Sequence, residues 1–223
     1  MDEVGWCWTY GPLKHLGIEP EKLEQPEGAS RLCPAVSDQF KNTYTIKSPH
    51  TIHMKFDKYV DGEASILLEK DSTIYDDKFS DIFNLKEAAG WQDPQTPRLQ
   101  MHMGILFVTD TKDIEIEMLP PFLEYRPDRY PVTFSSAKFN IYNWVKELQL
   151  GLDWKDTSVD INIKRGDVLS YVRFNKNVKL KQIEYSEELE KEIITNIHSI
   201  RVAKNYTKKL MSIAGMKRRK KWL

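Results

Sequence analysis

Cysteine is scarce in this 223-residue sequence, which contains only Cys7 and Cys33. Two thiols cannot build a disulfide framework, so we expect a reducing, intracellular setting. No run of about 18 apolar residues occurs, and the opening residues 1–8 have neither the basic nor the apolar segment of a signal peptide. The sequence therefore predicts neither secretion nor a membrane partner.

A net charge is also missing, because 33 Lys and Arg residues balance 33 Asp and Glu residues. The balance hides an asymmetry: residues 217–221 are all basic and leave an equal excess of negative charge on the rest of the chain. A neutral total argues against a protein that covers nucleic acid with its whole surface, since affinity there comes from many phosphate contacts. Any polyanion binding is expected at the C-terminal end alone.

Residues 1–42 are interrupted by proline every few positions. Proline fixes φ and removes a backbone donor, so this pattern predicts an irregular N-terminal arm with at most short helical turns, one of them at 34–41. We expect the arm to cover a sheet, anchored by burial of Trp6, Trp8 and Tyr10.

Residues 43–185 contain short segments that are rich in β-branched and aromatic residues and are bounded by turn-forming residues, a pattern typical of strands. The segments lie at 43–47, 51–56, 64–69, 99–108, 113–118, 159–164, 168–174 and 178–183. Because no helices alternate with them, they predict a mainly β domain, an antiparallel β-sandwich or jelly roll. We also expect a short helix at Ser80–Ala89, a long proline-rich loop at 119–136 and a glycine turn at Arg165–Asp167.

Residues 186–223 predict a long amphipathic helix that ends in a basic tip. Ser186 is a favourable N-cap, and glutamates follow it in the first turns. Apolar residues then recur every three or four positions, which gives one stripe on a helix of about 28 residues. The stripe consists of Leu189, Ile193, Ile197, Ile200, Ala203, Thr207, Leu210 and Ala214. It must be buried against the sandwich or against another subunit, and the sandwich is the more common choice.

Histidine supplies few metal ligands, since the chain has only five. Fe(II) oxygenases of the jelly-roll class need His-x-Asp or His-x-Glu on one strand, because residues two apart point to the same side. No such pair occurs here. The sequence therefore predicts no metal and no cofactor, and a degenerate ligand set of His50, His53 and His102 is the alternative.

Residues for nucleophilic catalysis and nucleotide binding are missing as well. Neither cysteine lies beside a visible base, no Gly-x-Ser-x-Gly elbow occurs, and the ten glycines never form Gly-x-Gly. The acidic residues at 61–63 and 71–81 are expected to be solvated turns rather than a Mg²⁺ site. We therefore assign no catalytic residue.

The tip, residues 217–223, is the one segment whose composition indicates a partner. Adjacent cations repel one another and gain by meeting phosphates or an acidic protein surface, while tryptophan can stack or fill a pocket. The alternative is a frayed helix end whose cations suit the negative pole of the helix dipole. The predicted binding residues are Lys217, Arg218, Arg219, Lys220, Lys221 and Trp222.

Five segments carry a resemblance to a known group of proteins. They include Cys-Pro-Ala-Val-Ser-Asp-Gln-Phe-Lys-Asn and Met-Leu-Pro-Pro-Phe, and they lie at 33–42, 46–49, 118–122, 138–144 and 163–174. Over about 33–180 the chain resembles uncharacterised proteins of tailed phages, especially T-even-like phages of marine bacteria. The resemblance implies a viral origin, a jelly-roll-like β fold and a place in the host cytoplasm or the virion, and it carries no catalytic residue.

Residues 163–172 also resemble the closing strand of the deoxyuridine triphosphatase fold. The Arg-Ser-Gly phosphate motif and the Ile-Asp-x-x-Tyr-Arg-Gly nucleoside motif of that fold are both missing from the sequence. This second likeness therefore implies no such activity.

The first hypothesis is a non-enzymatic phage protein that binds a protein partner, or a second copy of itself, through its C-terminal helix and basic tip. A metal-dependent cupin or 2-oxoglutarate-oxygenase-like enzyme is one alternative. Nucleic-acid binding through the basic tip is the other.

Overall fold

The structure is a computed structural model that describes residues 1–9, 17–25, 33–60, 63–74, 78–85, 96–124 and 131–202. Within these ranges the helices are α1 (Pro34–Phe40), α2 (Phe79–Ile82) and α3 (Glu187–Val202). The first seven strands are β1 (Asp2–Trp8), β2 (Glu21–Lys22), β3 (Thr43–Lys47), β4 (Ile52–Val60), β5 (Glu63–Leu68), β6 (Phe83–Leu85) and β7 (Arg98–Val108). The others are β8 (Glu115–Leu119), β9 (Val132–Phe134), β10 (Ala137–Asn140), β11 (Glu147–Trp154), β12 (Ile161–Ile163), β13 (Val168–Phe174) and β14 (Val178–Gln182).

The strands form three sheets, and the prediction of a mainly β architecture with antiparallel pairing is confirmed. A six-stranded sheet runs β14-β1-β7-β11-β9, with β6 also paired to β7. A five-stranded sheet runs β10-β8-β13-β3-β2, and a three-stranded sheet runs β12-β4-β5. Among the strands described, β1 and β14 make the one parallel pair.

The main hydrophobic core lies between the sheets and takes side chains from all three. Along β7 every second residue faces this core, namely Leu99, Met101, Met103, Ile105 and Phe107. Trp154 at the end of β11 and Phe174 at the end of β13 are almost completely buried in it. Burial of this kind is the dominant favourable contribution to folding, and it fixes which face of each strand points outward.

Residues 2–8 correct the prediction of an irregular arm over residues 1–42. They form β1, which lies between β7 and β14 inside the six-stranded sheet. Val4, Trp6 and Trp8 face the main core and Cys7 faces the other side, so the strand is buried on both faces and lacks the polar alternation of a half-exposed strand. The expected burial of Trp6 and Trp8 is confirmed, whereas Tyr10 lies outside the described residues.

Two other expectations need correction. The helix expected at Ser80–Ala89 ends at Ile82, and β6 follows it at Phe83–Leu85 because these residues pair with β7. The loop expected at 119–136 contains β9, which pairs with β11.

The glycine turn is confirmed, since Gly166 has φ of 89° and the backbone N–H of Asp167 donates to Lys164 O at 3.0 Å.

Candidate functional site

Helix α3 is anchored on the outer face of the six-stranded sheet by its first two turns. The Ser186 hydroxyl accepts a hydrogen bond from the Leu189 N–H, at 3.3 Å, as expected of an N-cap. Leu189 and Ile193 then pack into a second hydrophobic cluster, which also contains Cys7, Leu106, Val108 and Val145. The start of the predicted apolar stripe is therefore buried against the protein's own sheet.

The other side of this helix faces solvent in the part of the chain that the structure describes. Ile194 is 47% exposed, and the Lys191 side chain forms an exposed ion pair with Glu187, at 3.8 Å. The predicted binding residues lie outside the described residues, and so does the end of the apolar stripe. They are Lys217, Arg218, Arg219, Lys220, Lys221 and Trp222.

The three histidines of the alternative metal site fall into two places. His53 lies on β4 between two carboxylates, with Nδ1 2.9 Å from Asp71 and Nε2 3.3 Å from Asp160. Burial lowers the pKa of His53, but the hydrogen bonds and negative charges of Asp71 and Asp160 outweigh burial and leave the pKa raised. The two carboxylates therefore favour the protonated form of the ring, and Asp71 takes part in a small hydrogen-bonded network instead of standing alone in a solvated turn.

His50 and His102 instead line one cleft, and His53 does not. Burial, followed by the nearby charge of Arg165, lowers the pKa of His50, so its imidazole is neutral at pH 7. Across the described part of the chain, no three His, Cys, Asp or Glu side chains come together in a way that could hold one metal ion.

The cleft forms where one edge of β7 has no partner strand within the described ranges. On this edge β1 pairs as far as Ile105 and β6 begins opposite Met101, which leaves residues 102–104 between them. Gly104 has φ of 65° at this point, a backbone conformation that glycine adopts readily. Its N–H donates to Glu147 Oε1 at 2.7 Å and its carbonyl accepts from the Thr9 N–H at 2.9 Å. The Glu147 side chain thus satisfies a buried donor where the β7–β11 register is irregular.

The cleft has a volume of about 210 Å³ and combines an apolar wall with polar groups. Met101 and Met103 from the core side form the wall, together with Ile82 of α2. Lys78 and Asp81 form a half-exposed pair at the rim, with 3.6 Å between Nζ and Oδ2. These side chains come from segments far apart in sequence, and the sheet brings them together.

The polar side chains that line the cleft beside the irregular step in β7 include His102, Glu147 and Tyr185. His102 Nδ1 lies 3.2 Å from the amide nitrogen of Gln149, whose oxygen accepts from Gln100 at 2.8 Å. The same amide nitrogen lies 3.5 Å from His102 Nε2, so the Gln149 side chain holds the edge of the ring in place. Burial and then the charges of Glu190, Cys7 and Glu147 raise the pKa of Tyr185 to about 12. The phenol therefore stays protonated and can donate.

The sequence interpretation missed Glu147 and Tyr185 as members of a site. A signal for β11 exists, because Leu148, Leu150 and Leu152 alternate with polar residues and are all buried. That alternation would have placed Glu147 on the outer face of a strand. No local pattern would have placed Tyr185 beside it.

Comparison with known proteins supplies no family for this chain. No protein-family model matches the sequence, and no curated protein matches it significantly. None of the helices in the described ranges is long and apolar enough to cross a lipid bilayer.

Proposed function

We propose that this protein is a non-enzymatic β-sandwich protein of tailed phages, with a jelly-roll-like domain, that binds a protein partner through its C-terminal helix and basic tip. The observation that carries the proposal is how α3 is anchored: Leu189 and Ile193 are buried against the sheet, while Ile194 is about half exposed. A helix fixed at its start can present the residues that follow it to a partner without rearrangement of the β domain.

The charge distribution supports a partner with an acidic surface. The tip at 217–221 concentrates five cations, whereas the first turn of α3 carries Glu187, Glu188 and Glu190. Complementary charge speeds association and sets orientation, and an aromatic residue such as Trp222 is a frequent anchor at the centre of an interface. We expect the cations to steer the encounter and Trp222 to hold the complex.

The proposal is tested by replacing all five cations of 217–221 with glutamine in the full-length protein. The matched control replaces five exposed lysines of the β domain with glutamine, which changes the net charge equally: Lys55, Lys112, Lys155, Lys179 and Lys181. Bound proteins are recovered from an extract of the infected bacterial host and quantified by mass spectrometry. Partners should be recovered with the wild type and the control and be lost from the tip variant. Recovery of the same proteins by the tip variant would refute the proposal.

Two further measurements distinguish the other possible partners. Sedimentation velocity of the wild type and the tip variant detects a second copy of the chain as the partner. Binding to duplex DNA through five phosphate contacts would make log affinity fall with log salt at a slope of about −4 to −5. A slope of that size that disappears in the tip variant would assign the tip to nucleic acid instead of protein.

A further inference from the structure

The cleft at the open edge of β7 lies beside the start of α3, because Tyr185 lines it and also packs against the cluster that buries Leu189. The docking proposal makes no use of this cleft. Its volume of about 210 Å³ exceeds that of a cavity that holds benzene, about 150 Å³, and falls short of the cavities that hold drug-sized ligands. The space therefore suits one ring with a short substituent.

The charged and neutral side chains that line the cleft indicate which sign of charge a bound ligand should carry. At the rim, Lys78 and Asp81 compensate each other, and both side chains are about half exposed. Inside, the phenol of Tyr185 and the imidazole of His50 are neutral at pH 7. Glu147 is the remaining carboxylate among the described residues that line the cleft: its side chain is 25% exposed, and its Oε1 accepts a hydrogen bond from the neutral N–H of Gly104.

His102 is the ionisable side chain that the structure places beside Glu147, but the two are not hydrogen-bonded. His102 Nδ1 lies 3.9 Å from Glu147 Oε1 and only 3.2 Å from the amide nitrogen of Gln149. A carboxylate that is partly removed from water, and that has no Lys or Arg partner among the described residues, favours a ligand with a positive charge. Met101 and Met103, which are almost fully buried, close the apolar side of the cleft, and polarisable thioethers make favourable contacts with aromatic rings.

We propose that this cleft binds a small organic cation, a single ring bearing an ammonium or amidinium group, with the ring against Met101 and Met103 and the charge at Glu147. The Tyr185 hydroxyl then provides a donor for a hydroxyl or carbonyl oxygen on the same ligand. The rim pair Lys78–Asp81 leaves the entrance electrically neutral.

The test uses the full-length protein labelled with ¹³C at its methionine methyl groups and three ring compounds of similar shape: benzylamine in its ammonium form, benzyl alcohol and benzoate. The signals of Met101 and Met103 are assigned from the variants Met101→Leu and Met103→Leu, which conserve volume. Benzylammonium should shift these two signals and bind at least about tenfold more tightly than benzyl alcohol, and benzoate should bind most weakly. The Glu147 carboxylate attracts the first compound, is indifferent to the uncharged second and repels the third.

A variant of Glu147 tests whether the preference for a cationic ligand arises at this carboxylate. Glu147→Gln retains an acceptor for the Gly104 N–H but removes the charge, so the affinities of benzylammonium and benzyl alcohol should come within about threefold of each other. The control, Glu19→Gln, removes an exposed carboxylate that does not line the cleft, and it should leave the tenfold preference intact. Equal binding of all three compounds to the wild type, tighter binding of benzoate, or unmoved signals of Met101 and Met103 would each overturn the proposal. The order of the three affinities is measured on the unmodified protein, so that result holds even if a variant fails to fold.

Discussion

The carboxylate of Glu147 accepts a hydrogen bond from the backbone N–H of Gly104, with 2.7 Å between Oε1 and the nitrogen. The contact joins β11 to β7 at the point where their register shifts, so a side chain supplies the acceptor in place of a regular ladder bond. Gly104 is buried, and a buried donor that loses its acceptor costs about 1–3 kcal/mol.

We therefore expect Glu147→Ala to lower the free energy of unfolding by about 1–3 kcal/mol, and Glu147→Gln, which keeps the acceptor, to lower it by less than about 1 kcal/mol. Urea unfolding followed by tryptophan fluorescence measures both values. If the two variants were equally destabilised, the charge rather than the hydrogen bond would be what stabilises the irregular step.

The position of His53 between Asp71 and Asp160 predicts stability that depends on pH. The pKa of His53 is raised above its ordinary value of 6.5, so the folded protein binds the proton more tightly than the unfolded chain does. The stabilisation is complete below pH 6.5 and is lost as the pH rises through the folded pKa. Both carboxylates are more than a third exposed, so we expect less than about 1 kcal/mol.

The measurement compares wild type and His53→Gln by urea unfolding at pH 5.5 and pH 8.0. The variant should be less stable than the wild type at the lower pH, and the difference should shrink at the higher pH. NMR titration of the ring provides the control, because Asp71→Asn should bring the pKa of His53 back toward 6.5. A difference that grew with pH would contradict the assignment.

Arg98 and Asp153 link β7 to β11 through two parallel hydrogen bonds, with Nε 2.6 Å from Oδ1 and Nη2 3.0 Å from Oδ2. These bonds hold the pKa of Asp153 below its ordinary value of 3.8, although burial opposes them. Near pH 3.8 the unfolded chain therefore binds more protons than the folded protein does. The stabilisation present above about pH 4 is lost as the pH falls through the folded pKa of Asp153.

Asp153→Asn should cost about 1–3 kcal/mol at pH 7, since the Asp153 side chain is only 11% exposed and the bonds it makes are charge-assisted. The difference from wild type should decrease between pH 4 and pH 2. Asp57→Asn, at an exposed position on β4, is the matched control and should change stability by less than about 0.5 kcal/mol. A loss that did not depend on pH would show that packing, not the ion pair, makes the contribution.

The sequence predicted the strands in which apolar and polar residues alternate and turn-forming residues mark both ends. β3 and β13 have the predicted bounds, and β8 shows the expected wet face at Glu115 and Glu117. β1 was missed because it is buried on both faces, and its parallel pairing with β14 joins the two ends of the domain, which no local pattern reports. β11 was missed because it contains no β-branched residue and is interrupted by Gly151, although its apolar and polar residues alternate regularly.

The candidate cleft was accessible to sequence reasoning only in part. The sequence analysis named His50 and His102 as candidate residues, in an alternative metal-ligand set with His53. The structure places His50 and His102 in the cleft and His53 elsewhere. The cleft exists because β1 and β6 share one edge of β7 without meeting, and that depends on the lengths of two strands distant in sequence. Sequence periodicity predicts which face of a strand is buried, and it contains no information on where a neighbouring strand ends.

The anchoring of α3 predicts different effects for two neighbouring positions on the helix. Leu189 is fully buried in the second cluster, whereas Ile194 is 47% exposed. Leu189→Ala should weaken docking of the helix by about 2–3 kcal/mol, through the lost burial and the cavity left behind, whereas Ile194→Ala should stay within about 0.5 kcal/mol. Hydrogen exchange of the amides at 187–195 reports the docking locally, and 2 kcal/mol corresponds to exchange that is about 30-fold faster. If Leu189→Ala left the exchange of these amides unchanged, the helix would not depend on the sheet for its structure. The basic residues that follow it would then have no fixed starting point from which to reach a partner.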